Sequence, residues 1–128
     1  MKRTKTMGAR TKIVLIGEKP DIGFFTALQQ EGYEAIASES PEETRLLIYG
    51  FRPDLIIVHL HHPSSSDIAT LQECKVMAAG VPIMVATSVP GHETVMQALE
   101  EGATSFLSLP VERAKIKKVV DELVASRG

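Results

Sequence analysis

The 128-residue chain, with 44% hydrophobic and 23% charged residues, has the size and composition of a single globular domain. It contains no apolar run near the roughly 18 residues that a membrane span needs, and its basic N-terminus lacks the apolar core of a secretory signal. Its one cysteine, Cys74, excludes an internal disulfide framework and is typical of a reducing compartment. We therefore expect a cytoplasmic protein with no membrane partner.

The charge is unevenly distributed along the chain. The formal net charge is −2, but five of the 14 lysine and arginine residues fall within the first twelve positions, where no acid occurs. The rest of the chain has a balance of −7, which argues against a nucleic-acid partner. We expect a flexible basic tail over residues 1–11 and one folded domain over residues 12–128.

Five short apolar segments are predicted to be strands. They cover residues 12–17, 33–37, 54–59, 81–86 and 104–107. The second alternates as an edge strand does, whereas the third has an unbroken apolar centre that indicates burial on both faces.

The segments between and after these strands carry helix signals. A glycine after the last apolar residue predicts the end of each of the first four helices: Gly32, Gly50, Gly80 and Gly102. Pro20 suits the start of the first helix, and Ser40 before Pro41 is typical of a capped start of the second. Apolar residues predicted for the helices are Phe24, Phe25 and Leu28, then Leu46, Leu47 and Tyr49, then Ile68, Leu71 and Met77. The fourth helix is expected over residues 93–101, and the last is amphipathic through Ile116, Val119, Val120, Leu123 and Val124.

Strict alternation of strands and helices predicts an α/β fold, a doubly wound, flavodoxin-like (βα)5 domain with a five-stranded parallel sheet in the order 2-1-3-4-5. In such sheets functional groups gather at the carboxyl ends of the strands, near the point where the strand order reverses. That edge is expected to carry Gly17 and Glu18 after the first strand, His59 after the third, Thr87 after the fourth and Leu109 after the fifth.

Segments around this edge resemble, in order and spacing, the receiver domain of two-component response regulators. The matching segments are residues 16–22, 52–55, 62–63, 82–88 and 101–110. The resemblance covers nearly the whole chain from Lys12 onward, and it implies a bacterial module of phosphorelay signal transduction.

The resemblance also assigns roles from which this sequence departs. Receivers place two neighbouring acids in the first loop, which hold Mg²⁺, and here those positions are Gly17 and Glu18. The phosphoacceptor aspartate is replaced by His59, and the lysine that pairs with the phosphoryl group by Leu109, while Thr87 retains the family's hydroxyl. We therefore expect a degenerate pocket of these five residues, a pseudo-receiver with no phosphorylated and no catalytic residue.

The chemistry explains why these replacements matter. Acyl-phosphate formation needs a carboxylate acceptor and hard oxygen ligands for Mg²⁺, and a neutral imidazole is a poor substitute for either. Asp54 lies five residues before His59, roughly 16 Å away along an extended strand and so at the opposite end of the sheet. Asp21 and Asp67 lie beyond loop turns and are not expected to replace the acceptor.

Two local features permit more than one interpretation. Glu18, His59 and His61 offer ligand types that suit Zn²⁺ or Ni²⁺, but the alternative is a polar strand end with solvent-facing imidazoles, and we expect no metal and no cofactor. Thr87 and Phe106 resemble the hydroxyl and aromatic pair through which receivers report phosphorylation. Here we expect a strand-end hydroxyl and a packed ring, or a fixed conformation in which Phe106 presents one face to a partner.

The sequence predicts a binding module and not an enzyme, since it shows no nucleophile and base pair and no glycine-rich phosphate loop. We expect it to act by phosphorylation-independent contact with a protein partner, or as a homodimer, through the face of helix four, strand five and helix five. Lys115, Lys117 and Lys118 are expected at the rim of that face. Two alternatives stay open: a phosphorelay response regulator with unorthodox phosphorylation, and a small-molecule or metal sensor that uses the vacated pocket.

Overall fold

The computed structural model describes residues 10–17, 22–60, 65–88 and 91–127. The elements are β1 (Lys12–Ile16), α1 (Ile22–Gln30), β2 (Glu34–Ser38), α2 (Pro41–Phe51), β3 (Leu55–Leu60), α3 (Ser65–Met77), β4 (Ile83–Thr87), α4 (His92–Glu100), β5 (Ser105–Ser108) and α5 (Arg113–Arg127). Most of the predicted tail, residues 1–9, and the predicted helix start at Pro20 lie outside the described residues. Among the described helices, none combines the length and the apolar character needed to cross a membrane.

The five strands form one parallel sheet in the order β2-β1-β3-β4-β5. This confirms the predicted fold class and strand order. Because all strands run the same way, their carboxyl ends lie along one edge, where Ile16 pairs with Val58, His59 with Ala86 and Leu60 with Thr87. The candidate site is built on that edge.

Helices cover both faces of the sheet and form two cores. The first, here called the α1/α5 core, contains Phe24, Leu28, Ile116 and Val120 from the helices and Leu55 and Ile57 from β3. The second, the α2–α4 core, contains Ile48, Leu71, Cys74 and Ala98 from the helices and Ile56, Val58 and Leu60 from β3. All six residues of β3 are buried, as its apolar centre predicts. Each large aliphatic side chain buried there stabilises the fold by about 1.5–3 kcal/mol.

The three apolar residues predicted for α2 all lie in it, but two of them do not face the core. Leu46 and Tyr49 are 75% and 63% exposed, whereas Ile48 is buried and, one helical turn before it, so is Thr44. Thr44 takes an inner position because its hydroxyl donates to the Ser40 carbonyl at 2.9 Å. A buried hydroxyl that has such a partner loses little free energy on leaving water.

The boundaries of the elements differ from the predicted ones by at most two residues in the strands. In α2 the helix continues past Gly50 to Phe51 and is terminated by Arg52, which adopts the left-handed conformation with φ 55°. Ser40 caps the start of α2 as predicted, its side chain accepting from the Glu43 amide at 3.1 Å.

Tyr33 precedes β2 instead of belonging to it, and its ring is buried. Its hydroxyl donates to the Asp121 carboxylate at 2.7 Å, which ties α5 to the segment between α1 and β2. Burial raises the pKa of Tyr33 most, followed by the hydrogen bond to Asp121 and the negative charges of Asp121 and Glu31. The phenol therefore stays protonated and keeps its role as donor.

At the amino end of the sheet, the carboxylate of Asp54 holds β1 and β3 together. It is 2% exposed and accepts from the Lys12 amide at 2.9 Å, while the Asp54 amide donates to the Lys12 carbonyl at 2.7 Å. This confirms the prediction that Asp54 lies at the end of the sheet opposite the candidate site.

We predict that Asp54→Ala lowers the free energy of unfolding by about 1–3 kcal/mol, because the Lys12 amide loses a buried acceptor. Urea unfolding followed by circular dichroism measures this. Glu34→Ala, an exposed acid on the neighbouring edge strand, is the control and should change stability by less than about 0.5 kcal/mol. Equal effects of the two variants would contradict the role given to Asp54.

We also predict that Cys74 is unreactive in the folded protein. The side chain is fully buried in the α2–α4 core, and burial, together with the charge of Glu73, raises the pKa of its thiol to about 12. The reactive thiolate is therefore scarce at pH 8. Iodoacetamide labelling followed by intact mass should show modification only in urea, and rapid labelling without denaturant would contradict this packing.

Candidate functional site

The five residues predicted at the functional edge define what is here called the corner: Gly17, Glu18, His59, Thr87 and Leu109. Four of them lie among the described residues, and Glu18 lies outside them. Gly17 follows β1, His59 is the fifth residue of β3, Thr87 ends β4 and Leu109 follows β5. Parallel pairing brings the ends of β1, β3 and β4 side by side. The Leu109 amide donates to the Thr87 carbonyl at 2.8 Å, which attaches the segment after β5 to the same edge.

His59 occupies the centre of the corner and is buried, with 4% of its surface exposed. It alternates with Leu55 and Ile57, so its side chain lies on the α1/α5 side of the sheet. The expectation of a solvent-facing imidazole is therefore wrong for His59. The reason is that β3 continues through Leu60, which leaves His59 inside the central strand instead of at its end.

Gly17 lies directly against His59. A Cβ atom placed on Gly17 would be 3.2 Å from the His59 carbonyl oxygen and 3.3 Å from the His59 Cβ. On its other side, the Gly17 amide donates to the Ser38 carbonyl at 3.1 Å. Sequence reasoning identified position 17 as a lost acid, but it missed this close approach, which depends on the separation of two strands.

Leu109 is buried within the α1/α5 core together with Ala86 and Leu107. The peptide bond that links it to Pro110 is cis. An aliphatic side chain in this place adds apolar contact and supplies no charge that would neutralise an anion. The side of the corner formed by Ala86 and Leu109 is therefore apolar.

Thr87 and Phe106 lie on the opposite face of the sheet from His59. Phe106 pairs with Val85, and Thr87 lies two residues beyond Val85, so alternation places all three toward the α2–α4 core. Thr87 is 1% exposed, and the Phe106 ring is partly buried against that core. The ring is packed in this arrangement.

The surface formed by α4, β5 and α5 is here called the 4-5-5 face, and α4 carries two exposed large apolar side chains. Met96 and Leu99 on α4 are 45% and 43% exposed. Lys115, Lys118 and Glu122 on α5 are exposed as well.

The prediction that Lys117 lies at the rim of the 4-5-5 face is wrong. Its ammonium group pairs with Asp121 at 3.1 Å and lies 6.0 Å from the centre of the Tyr33 ring. These contacts place it on the side of α5 that faces α1. The reason is the helical period, since Lys117 and Asp121 are four residues apart and share one side of the helix.

The alternative metal site can be described only in part. Of Glu18, His59 and His61, only His59 lies within the ranges that the structure describes. Within those ranges no three His, Cys, Asp or Glu side chains come together closely enough to hold a metal ion.

The curated relatives match most of this chain but are longer proteins. The transcriptional regulatory protein ZraR of Salmonella typhimurium is 26% identical over 103 residues, which are 80% of this chain and 21% of that protein. The phosphate regulon transcriptional regulatory protein PhoB of Pseudomonas aeruginosa is 28% identical over 86 residues, 66% of this chain and 38% of that protein. The chain thus spans between about a fifth and two fifths of the length of these relatives.

Solved structures with the same fold include the chemotaxis protein CheY4 of Vibrio cholerae, with a TM-score of 0.77, 20% identity and coverage of 90% of this chain and 99% of that one. A response regulator from Thermotoga maritima has a TM-score of 0.79 at 13% identity, covering 91% and 98%. At such identities these likenesses show the fold alone.

The family follows from the sequence match. The profile of the response regulator receiver domain matches residues 13–121, which include the whole sheet except Lys12 and the greater part of α5. Together with the strand order and the location of the corner, this match shows that the chain belongs to the receiver domain family of two-component response regulators.

Proposed function

We propose that this receiver domain is a protein-interaction module whose output does not depend on an aspartyl phosphate. The observation that carries the proposal is the burial of His59, only 4% exposed, at the position that the family resemblance assigns to the phosphoacceptor. An imidazole has no carboxylate oxygen, so it forms no acyl phosphate. Asp54 carries a carboxylate, but it directly precedes β3 and so lies at the opposite end of that strand from His59.

The other described residues of the corner support the same proposal. Phosphoryl transfer to a carboxylate needs Mg²⁺ held by oxygen ligands and a cation beside the phosphoryl group. Gly17 has no side chain to offer as a ligand, and the buried Leu109 supplies no charge. Three positions to which the resemblance assigns phosphoryl chemistry are therefore occupied by residues that do not perform it.

The 4-5-5 face is the surface that we propose for the partner, which is another protein or a second copy of this chain. We propose that exposed Met96 and Leu99 of α4 provide the apolar contact area and that the exposed charged side chains of α5 provide the polar rim. Protein interfaces commonly combine an apolar centre with a polar rim. We propose that this interaction needs no metal, cofactor, nucleic acid or membrane.

Contacts on the far side of α5 support this choice of face. Tyr33 bonds Asp121 at 2.7 Å, and Arg113 lies 3.7 Å from Glu31 on the same side of the helix. These contacts hold α5 against the α1 side of the domain. The opposite side of α5 is left available for a partner.

We predict that acetyl phosphate and Mg²⁺ leave the mass of the protein unchanged, because no carboxylate stands at the acceptor position. Intact mass spectrometry measures this, with a receiver that has the complete acidic set treated in parallel as the positive control. The gain of one phosphoryl group that hydroxylamine removes would contradict the proposal.

We predict that Leu99→Glu weakens partner binding by about tenfold or more, because it places a charge in the apolar centre of the face. A bacterial two-hybrid screen against genomic fragments, including this chain itself, supplies partners for measurement with purified proteins. Val76→Glu is the matched control, since Val76 is 80% exposed on α3, away from the face. Loss of binding in Val76→Glu with retention in Leu99→Glu would contradict the choice of surface.

A further inference from the structure

We infer that Gly17 closes the corner at the level of the main chain: because it has no side chain, the end of β1 packs directly on His59. The corner is thereby held in one shape by the backbone as well as by the identity of its side chains. The steric contact between Gly17 and His59 does not depend on the proposed function. The further conclusion, that the corner does not respond to a phosphoryl ligand, rests on the proposed function.

One more carbon atom at Gly17 would need its neighbour to shift by a few tenths of an ångström. The His59 carbonyl oxygen and Cβ would lie 3.2 Å and 3.3 Å from an added Cβ, whereas nonbonded carbon atoms are at their optimal separation at about 3.5–4.0 Å. The nearest of these atoms belongs to the backbone. A change of rotamer at His59 therefore does not relieve the contact.

Both strand ends at this contact are held by hydrogen bonds or pairing to further strands. The Gly17 amide donates to Ser38 at 3.1 Å, so β1 is bonded to β2 at the same level as it meets β3. Ile16 pairs with both Ser38 and Val58, one residue before the contact. On the far side, His59 pairs with Ala86 of β4. Moving His59 away from position 17 would disturb three strands.

The narrow space beside position 17, and not the backbone conformation there, favours glycine over residues with a side chain. Gly32 and Gly80 have φ values of 94° and 88°, which favour glycine whatever surrounds them. Gly17 is not among the residues with positive φ. An alanine at position 17 would be compatible with the backbone and would be opposed by the neighbouring His59 alone.

The close contact has a consequence for the chemistry of the corner. The family's acidic residue at position 17 would place its first carbon between the ends of β1 and β3, where Gly17 now approaches His59. Changing His59 to aspartate leaves the carbonyl oxygen of residue 59 in place. Restoring the acceptor alone would therefore not reopen position 17 to an acidic side chain.

Two alanine variants test the inference by thermal unfolding. Gly17→Ala should lower the Tm by about 4 °C or more, because the added carbon forces β1 and β3 apart. Gly50→Ala is the matched control: a Cβ at Gly50, inside α2, meets nothing within 4 Å, so its Tm should be unchanged or higher. Equal Tm values for the two variants would overturn the inference.

Backbone NMR of Gly17→Ala localises the effect. The largest amide shift changes away from the mutated residue should fall at Ser38, His59 and Ala86, the positions bonded to, packed on or paired beside the contact. Changes confined to the residues next to position 17 in the chain would also overturn it. If the phosphodonor adds mass and Gly17→Ala has a lowered Tm, the proposed function is refuted and the steric contact stands. If the mass is unchanged and the Tm of Gly17→Ala equals that of Gly50→Ala, the steric contact is refuted and the proposed function stands.

Discussion

Six consecutive residues of β3 lie in the interior, and the other elements are arranged around them. A strand that is apolar on both faces requires cover on both sides, which α1 and α5 provide on one face and α2, α3 and α4 on the other. The same constraint reaches the functional edge. Because β3 stays buried through its last residues, whatever occupies position 59 is drawn into the interior, and here it is an imidazole among aliphatic side chains.

The neighbouring junction of β2 and α2 shows how polar groups enter this interior. Ser38 is fully buried, and its hydroxyl lies 2.6 Å from that of Thr44, which in turn donates to the Ser40 carbonyl. The Ser38 carbonyl is used as well, since it accepts from the Gly17 amide. A small network of hydroxyl and main-chain groups thus fixes the start of α2 against the end of β2, beside the corner.

The sequence was sufficient for the fold because alternation of strands and helices is a local pattern that permits few arrangements. It also indicated which residues reach the functional edge, since chain order alone determines the strand ends. It failed where a feature depends on a neighbour in space. The inner position of Thr44 involves the hydroxyl of Ser38 in β2 as well as the local Ser40 carbonyl. The burial of His59 depends on one further residue of strand, and the place of Lys117 on Asp121 and Tyr33. The contact of Gly17 with His59 depends on an interstrand distance, which no pattern within one strand contains.

The amide of Leu109 is bonded to the carbonyl of Thr87 at 2.8 Å, and this bond uses main-chain atoms only. Any residue other than proline at position 109 can form it, so exchange between a cation and an aliphatic residue leaves the path of the chain unchanged. Position 17 differs, since the first carbon of any side chain meets a carbonyl oxygen. A lysine at position 109 would nevertheless have to keep its ammonium group out of the α1/α5 core in which Leu109 is buried. An acid at position 17 would require the ends of β1 and β3 to separate by a few tenths of an ångström, so the two positions differ in what a return would need: solvation of a charge at one and strand separation at the other.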